Sequence, residues 1–133
     1  MTQIVVDTTV IIAVLINEPS KLEILELTRE AELLAPISLD IEIGNAFSRM
    51  LKRGRIQVES AIAVVRLFDQ IPIQRIDVDL DSAIRLAHHL DIYAYDAYVI
   101  DCARAAGAPL LSLDRGLLEA CRRARLQFLE VSS

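Results

Sequence analysis

Four acidic residues, Asp7, Glu42, Asp96 and Asp114, carry the chemistry open to this chain of 133 residues. Asp7 ends the β-branched run Ile4-Val5-Val6, and Asp114 follows Leu110-Leu111-Ser112-Leu113. Glu42 falls in the first turn or so of a helical pattern behind a second apolar strand, and Asp96 lies near the start of another helix. Carboxylates gathered at one place repel and raise each other's pKa, so the cluster is costly until a cation fills it. Hard divalent ions such as Mg2+ or Mn2+ take oxygen ligands and suit the set. A bound ion can acidify water and stabilise charge on a phosphodiester, so hydrolysis then needs no thiolate, serine triad or histidine base.

Spacing adds a second group. Glu42, Asn45 and Arg49 stand at i, i+3 and i+7 and share one helix face. That row offers a metal ligand, a polar orienting group and a phosphate clamp. Asp40 falls roughly opposite Glu42 on the helical wheel, and Asp101 lies well round its helix from Asp96, so neither joins the set. Each acid taken singly also fits as a cap or charge at the positive end of a helix. Asp7 fits that simpler role least well, because it terminates a run that is otherwise buried.

The elements that must position these residues alternate along the chain. Apolar runs at 4–6, 33–37, 73–76, 109–112 and 127–131 read as strands. Helical patterns separate them: to about 15, capped by Thr8 or Thr9; from Ser20 to about 32; from Ser38 or Asp40 to Gly54; and at 58–69, 80–90, 95–106 and 115–123. In the long helix, Leu39, Ile43, Ala46 and Met50 mark the buried face. Strands alternating with helices predict an α/β fold, a three-layer sandwich with a parallel sheet covered on both faces, in a single domain over 1–133. Open parallel sheets collect ligands beyond the carboxyl ends of their strands, where the four acids would meet.

Bulk properties narrow the function. The net charge of −5 argues against a module that binds nucleic acid by phosphate neutralisation alone, but not against an enzyme whose acids hold cations. Mean hydropathy is +0.39, enough for a buried sheet with apolar surface left for a subunit or partner. Cys102 and Cys121 read as core thiols. With no stretch long enough to span a bilayer and no basic leader, a soluble cytoplasmic protein is expected. The basic cluster Arg49, Lys52, Arg53 and Arg55 fits RNA-backbone contact and fits helix-end charge equally well, and Arg115 is a further candidate contact beside Asp114. His88 and His89 point about 100° apart and suit solvent better than a shared ion. Tyr93, Tyr95 and Tyr98 are expected to pack around the start of the Asp96 helix, although aromatics can also stack on bases.

Four segments together resemble the PIN-domain nucleases, and within them the VapC-like toxins of toxin–antitoxin pairs. They are Val5-Val6-Asp7-Thr8-Thr9, Glu42-Ile43-Gly44-Asn45-Ala46, Tyr95-Asp96-Ala97-Tyr98 and Leu110-Leu111-Ser112-Leu113-Asp114-Arg115. The resemblance covers essentially the whole chain. It implies a PIN-like sheet of about five strands, with Asp7, Glu42, Asp96 and Asp114 as the catalytic quartet that binds Mg2+ or Mn2+. It further implies that Thr9, Asn45 and Ser112 support those acids, that RNA is the substrate, and that the chain forms a homodimer blocked by a cognate antitoxin. Glu42 would ligate the ion or orient the attacking water.

Three other functions compete. A phosphatase with Asp7 as nucleophile would want a second Asp two residues on, where Thr9 stands, and a late lysine, whereas the last lysine is Lys52. A non-catalytic RNA- or protein-binding module would not need a complete quartet. A housekeeping RNA-processing nuclease would share the whole site with a toxin.

Overall fold

Alternation along the central strand decides the architecture. Among residues 2–132, which the computed structural model describes, β1 (Thr2–Val6) turns Ile4 and Val6 to one face of a sheet and Val5 to the other. Its neighbours follow the same rule. In β2 (Ala31–Pro36) Ala35 joins the first face and Leu34 the second, and in β4 (Leu110–Leu111) these roles fall to Leu111 and Leu110. The sheet is completed by β3 (Ile73–Ile76) and β5 (Phe128–Leu129), and every pairing is parallel in the order β3-β2-β1-β4-β5.

Both faces therefore need cover, and the helices supply it. The first face packs on α1 (Thr8–Leu15), α2 (Lys21–Thr28), α3 (Leu39–Lys52) and α4 (Val58–Phe68) through Val10, Ile11, Ile24, Leu39, Ile43, Phe47, Ala61 and Phe68. The second packs on α5 (Leu80–Leu90), α6 (Ala94–Ala106) and α7 (Arg115–Arg123) through Leu86, Leu90, Val99, Ile100, Leu117 and Cys121. The result is the expected α/β sandwich with five parallel strands. No helix among the described residues is long and apolar enough to cross a membrane.

Boundaries differ from expectation in a few places. The helix expected to reach residue 32 ends at Thr28, because Ala31 already pairs with Thr2 at the sheet's leading edge. The last two strands are two residues each, shorter than their apolar runs. On α3 the buried face runs through Leu39, Ile43 and Phe47, with Ala46 and Met50 half-buried beside it.

Ile100 is fully buried on α6, the helix that carries Asp96. Ile100→Ala should lower unfolding free energy by about 2–5 kcal/mol through lost transfer energy and a residual cavity. Urea denaturation measures this, and a loss below about 1 kcal/mol would mean that α6 is not clamped to the sheet as described.

Candidate functional site

Between β1 and β4 the strand order reverses direction, and the crevice at their carboxyl ends is where such sheets place a site. Asp7 leaves β1 directly into it. Thr8 and Thr9 were the expected caps of α1, but Asp7 itself fills that role, in extended backbone with its Oδ1 accepting from the Val10 N–H at 3.3 Å. Thr9 Oγ1 donates to the same oxygen at 2.6 Å, and Ser112 Oγ donates to Oδ2 at 2.6 Å. Each hydroxyl in turn accepts a backbone proton, Thr9 from Leu113 N–H and Ser112 from Asp114 N–H, both at 2.9 Å. With both hydroxyl protons committed to Asp7, the 3.4 Å approach of Thr9 to Ser112 is contact rather than a proton-sharing bond.

The other acids surround this tie. Asp114 is exposed and caps α7, accepting from Leu117 N–H at 3.1 Å. Glu42 lies in the first turn of α3, where the buried Ser38 hydroxyl donates to its Oε2 at 2.8 Å. Asp96 is half-buried in the first turn of α6. Burial pushes the Asp7 carboxyl up to about 6; the hydroxyls of Ser112 and Thr9 and the Val10 N–H hold it down, and the charge of Asp114 pushes it further up. Burial also raises Glu42, against the Ser38 bond and with help from Asp7 and Asp96. Asp96 is raised by burial and then by Asp114. The four carboxylates thus lie in one another's field.

Electrostatic reach is not coordination. Among the described residues no three acidic, histidine or cysteine side chains converge closely enough to form a ready-made ligand set. Three of the four carboxylates are instead turned onto donors of their own chain. The donor chemistry still fits a hard cation, since every group is a carboxylate or hydroxyl oxygen and the negative charges repel in pairs.

Residues placed outside the set fall where expected. Asp40 pairs with Arg75 at 2.7 Å, and Asp101 accepts from Ser82 and Arg104, tying α5 to α6. His88 and His89 are exposed. Cys102 is a buried core thiol pushed up to about 11 by burial and then by Asp101. Arg49 and Asn45 flank Glu42 on the wall of a groove, while Arg115 and Ser112 border a separate cavity of about 560 Å3 that none of the four acids lines. Glu42 is held by Ser38 and not by Asn45, which stands exposed.

The tyrosine expectation fails for Tyr93, whereas Tyr95 and Tyr98 pack on each other at the start of α6. Tyr93 is 89% and Tyr95 51% exposed, and Tyr98 is partly covered. Tyr95 stands in the first turn of α6 and keeps about half of its surface in solvent. Ser38 was read only as a cap, although a serine four residues before Glu42 is at side-chain reach along a helix.

The PIN domain family model matches residues 4–123. The fold is similar to the crystal structure of PAE2754 from Pyrobaculum aerophilum, with TM-score 0.71, 20% identity, and coverage of 98% of this chain and 91% of that one. It is similar to VapBC2 from Rickettsia felis, bound to a DNA fragment from their promoter, with TM-score 0.72, 16% identity and coverage of 97% and 98%. It is also similar to VapC20 of Mycobacterium tuberculosis, a Sarcin-Ricin loop cleaving toxin, with TM-score 0.61, 15% identity and coverage of 88% and 94%. No curated protein matches by sequence.

The raised Asp7 carboxyl has a consequence for stability. An acid whose pKa is higher folded than unfolded opposes folding once the unfolded chain ionises, from its ordinary value of 3.8 upward, and fully above about 6. At about 1.4 kcal/mol per unit, that penalty is roughly 3 kcal/mol at neutral pH. In EDTA, Asp7→Asn should therefore gain on wild type as pH rises from about 4 to 7, on top of a fixed cost for setting its NH2 against a hydroxyl donor. A difference between the two proteins that is flat with pH would place the titrating group elsewhere.

Proposed function

Because the chain belongs to the PIN domain family, we propose that it is a metal-dependent endoribonuclease, the toxin component of a toxin–antitoxin pair. One observation carries this reading: acids from three strand–helix junctions and from the start of α6 act on one another electrostatically at a single rim, around a buried Asp7. A fold shared with a VapBC complex and with a Sarcin-Ricin loop cleaving toxin supports the toxin role, an RNA substrate and a cognate antitoxin. We assign a homodimer on the same family ground.

In this mechanism Asp7, Asp96 and Asp114 would hold Mg2+ or Mn2+. When bound, the ion would supply Lewis acidity at the phosphodiester. Thr9 and Ser112 keep Asp7 ionised and oriented through its two oxygens. Ser38 occupies Glu42 Oε2 and leaves Oε1 to orient the attacking water and take its proton. Raised above the usual range, Glu42 is a stronger base than a solvated carboxylate. The new P–O bond forms as the bond to the leaving ribose oxygen breaks, and solvent protonates that oxygen. Arg49 and Arg115 bind flanking phosphates, with Asn45 beside the first.

Cleavage of an RNA pool in Mg2+ or Mn2+ tests the reading. Asp7→Asn, Asp96→Asn and Glu42→Gln should each lower the rate by about a hundred- to ten-thousand-fold while keeping wild-type circular dichroism. Unaltered cleavage in Asp7→Asn and Asp96→Asn would contradict it. Either ion should also raise the wild-type Tm, by the equivalent of about 2.7 kcal/mol at a hundred times Kd. An equal rise in a variant lacking all four acids would show that the ions bind elsewhere.

A further inference from the structure

Beside the acidic rim lies a groove of about 390 Å3 lined by Thr8, Ile41, Glu42, Asn45, Arg49 and Tyr95. One wall is α3, with Ile41, Glu42, Asn45 and Arg49; on the other stands Tyr95 of α6, next to Asp96. The groove thus opens beside Glu42, the one acid of the four that lines it. Its walls also hold groups that folding leaves unused. The described ion pairs are all made elsewhere, so the Arg49 guanidinium has no carboxylate partner among the described residues. Ile41 is 67% exposed, and Tyr95 half-exposed, so two apolar surfaces face water inside one concavity. Tyr98 meets the Tyr95 ring edge-to-face at 5.8 Å between centroids and 85° between planes, a contact that favours this ring orientation.

We infer that this groove seats one unpaired ribonucleotide beside the scissile phosphate, its base stacked on Tyr95 and its phosphate on Arg49. The inference rests on the ribonuclease reading above and names the substrate's form. Ile41 closes the apolar side of the seat, and the exposed Asn45 amide offers a donor and an acceptor to the base edge. Arg49 lies seven residues along α3 from Glu42, about 10 Å at 1.5 Å per residue, so the guanidinium meets backbone beyond the cleavage point. Lys52, Arg53 and Arg55 continue the same end as an exposed basic exit. A base inside a duplex cannot present its face to a tyrosine, so the seat selects single-stranded or looped RNA. Stacking tolerates any base, which leaves Asn45 as the group able to prefer one.

Fluorescence anisotropy in EDTA separates binding from cleavage, using a labelled ten-nucleotide RNA alone and annealed to its complement. The single strand should bind the wild-type protein more tightly than the duplex. Tyr95→Ala should weaken single-strand binding by roughly 5- to 150-fold, the equivalent of one aromatic–base stack, without changing duplex binding. Tyr95→Phe should bind like wild type, because it keeps the ring. Wild-type affinity in Tyr95→Ala, equal weakening on duplex and single strand, or no RNA binding by the wild-type chain would each overturn the seat. The same strand as DNA distinguishes the sugar: equally tight Tyr95-dependent DNA binding would overturn the assignment to a ribonucleotide. Cleavage is scored separately in Mg2+, so loss of the nuclease reading with intact Tyr95-dependent binding is distinguishable from loss of the seat.

Discussion

Asp7 is an acid that the fold buries at the end of its central strand, and the arrangement of the site follows from how that burial is tolerated. A carboxylate removed from water needs donors on both oxygens. Here they come from two places far apart in sequence, Thr9 just after β1 and Ser112 just after β4. Because each hydroxyl also accepts a backbone N–H from the β4–α7 turn, the carboxylate is a tie between two strand ends as well as a charge. Removing the Ser112 hydroxyl would leave Oδ2 without a donor, removing that of Thr9 would leave Oδ1 to the Val10 N–H alone, and either loss would loosen the turn that carries Asp114. Stability and site geometry are therefore set by the same few hydrogen bonds.

The sheet order makes this tie possible. Successive crossovers run outward from β1 through β2 to β3, and the chain then returns to place β4 on the other side of β1. The strand ends flanking the reversal are those of Asp7 and Ser112. Helices α3 and α6 start at the same rim, bringing Glu42 and Asp96 with their first turns. Mutual repulsion at that rim raises three of the four acids on top of the effect of burial. This is the electrostatic state that a divalent cation relieves, and relief of that kind is a driving force for binding that needs no preassembled ligand cage.

Much of this was legible in the residues because the signals were local. A charged residue closing Ile4-Val5-Val6 marked Asp7, and the periods of α5 and α7 gave their bounds to the residue. Bounds were lost where tertiary pairing decided them. Residues 29–32 carry a helix-compatible pattern, but Ala31 and Glu32 pair beside Thr2 and Gln3 instead. The side chains around the acids were harder still. Which donor holds Glu42 depends on the turn at Ser38, whose helical backbone aims its hydroxyl along the helix rather than at the orphan N–H groups. How far Tyr93 and Tyr95 stand in solvent at the start of α6 is likewise set by tertiary placement, which residue type does not reveal.

For the site to work as a nuclease centre, a hard cation must meet Asp7 together with acids from other parts of the chain. Crystals soaked in Mn2+ and measured by anomalous diffraction at the manganese edge locate that ion without reference to activity. The predicted peak lies within about 2.0–2.3 Å of an Asp7 oxygen and of at least one oxygen of Asp96 or Asp114. A manganese peak at another surface, with the Asp7 oxygens still turned to Thr9 and Ser112 alone, would contradict it.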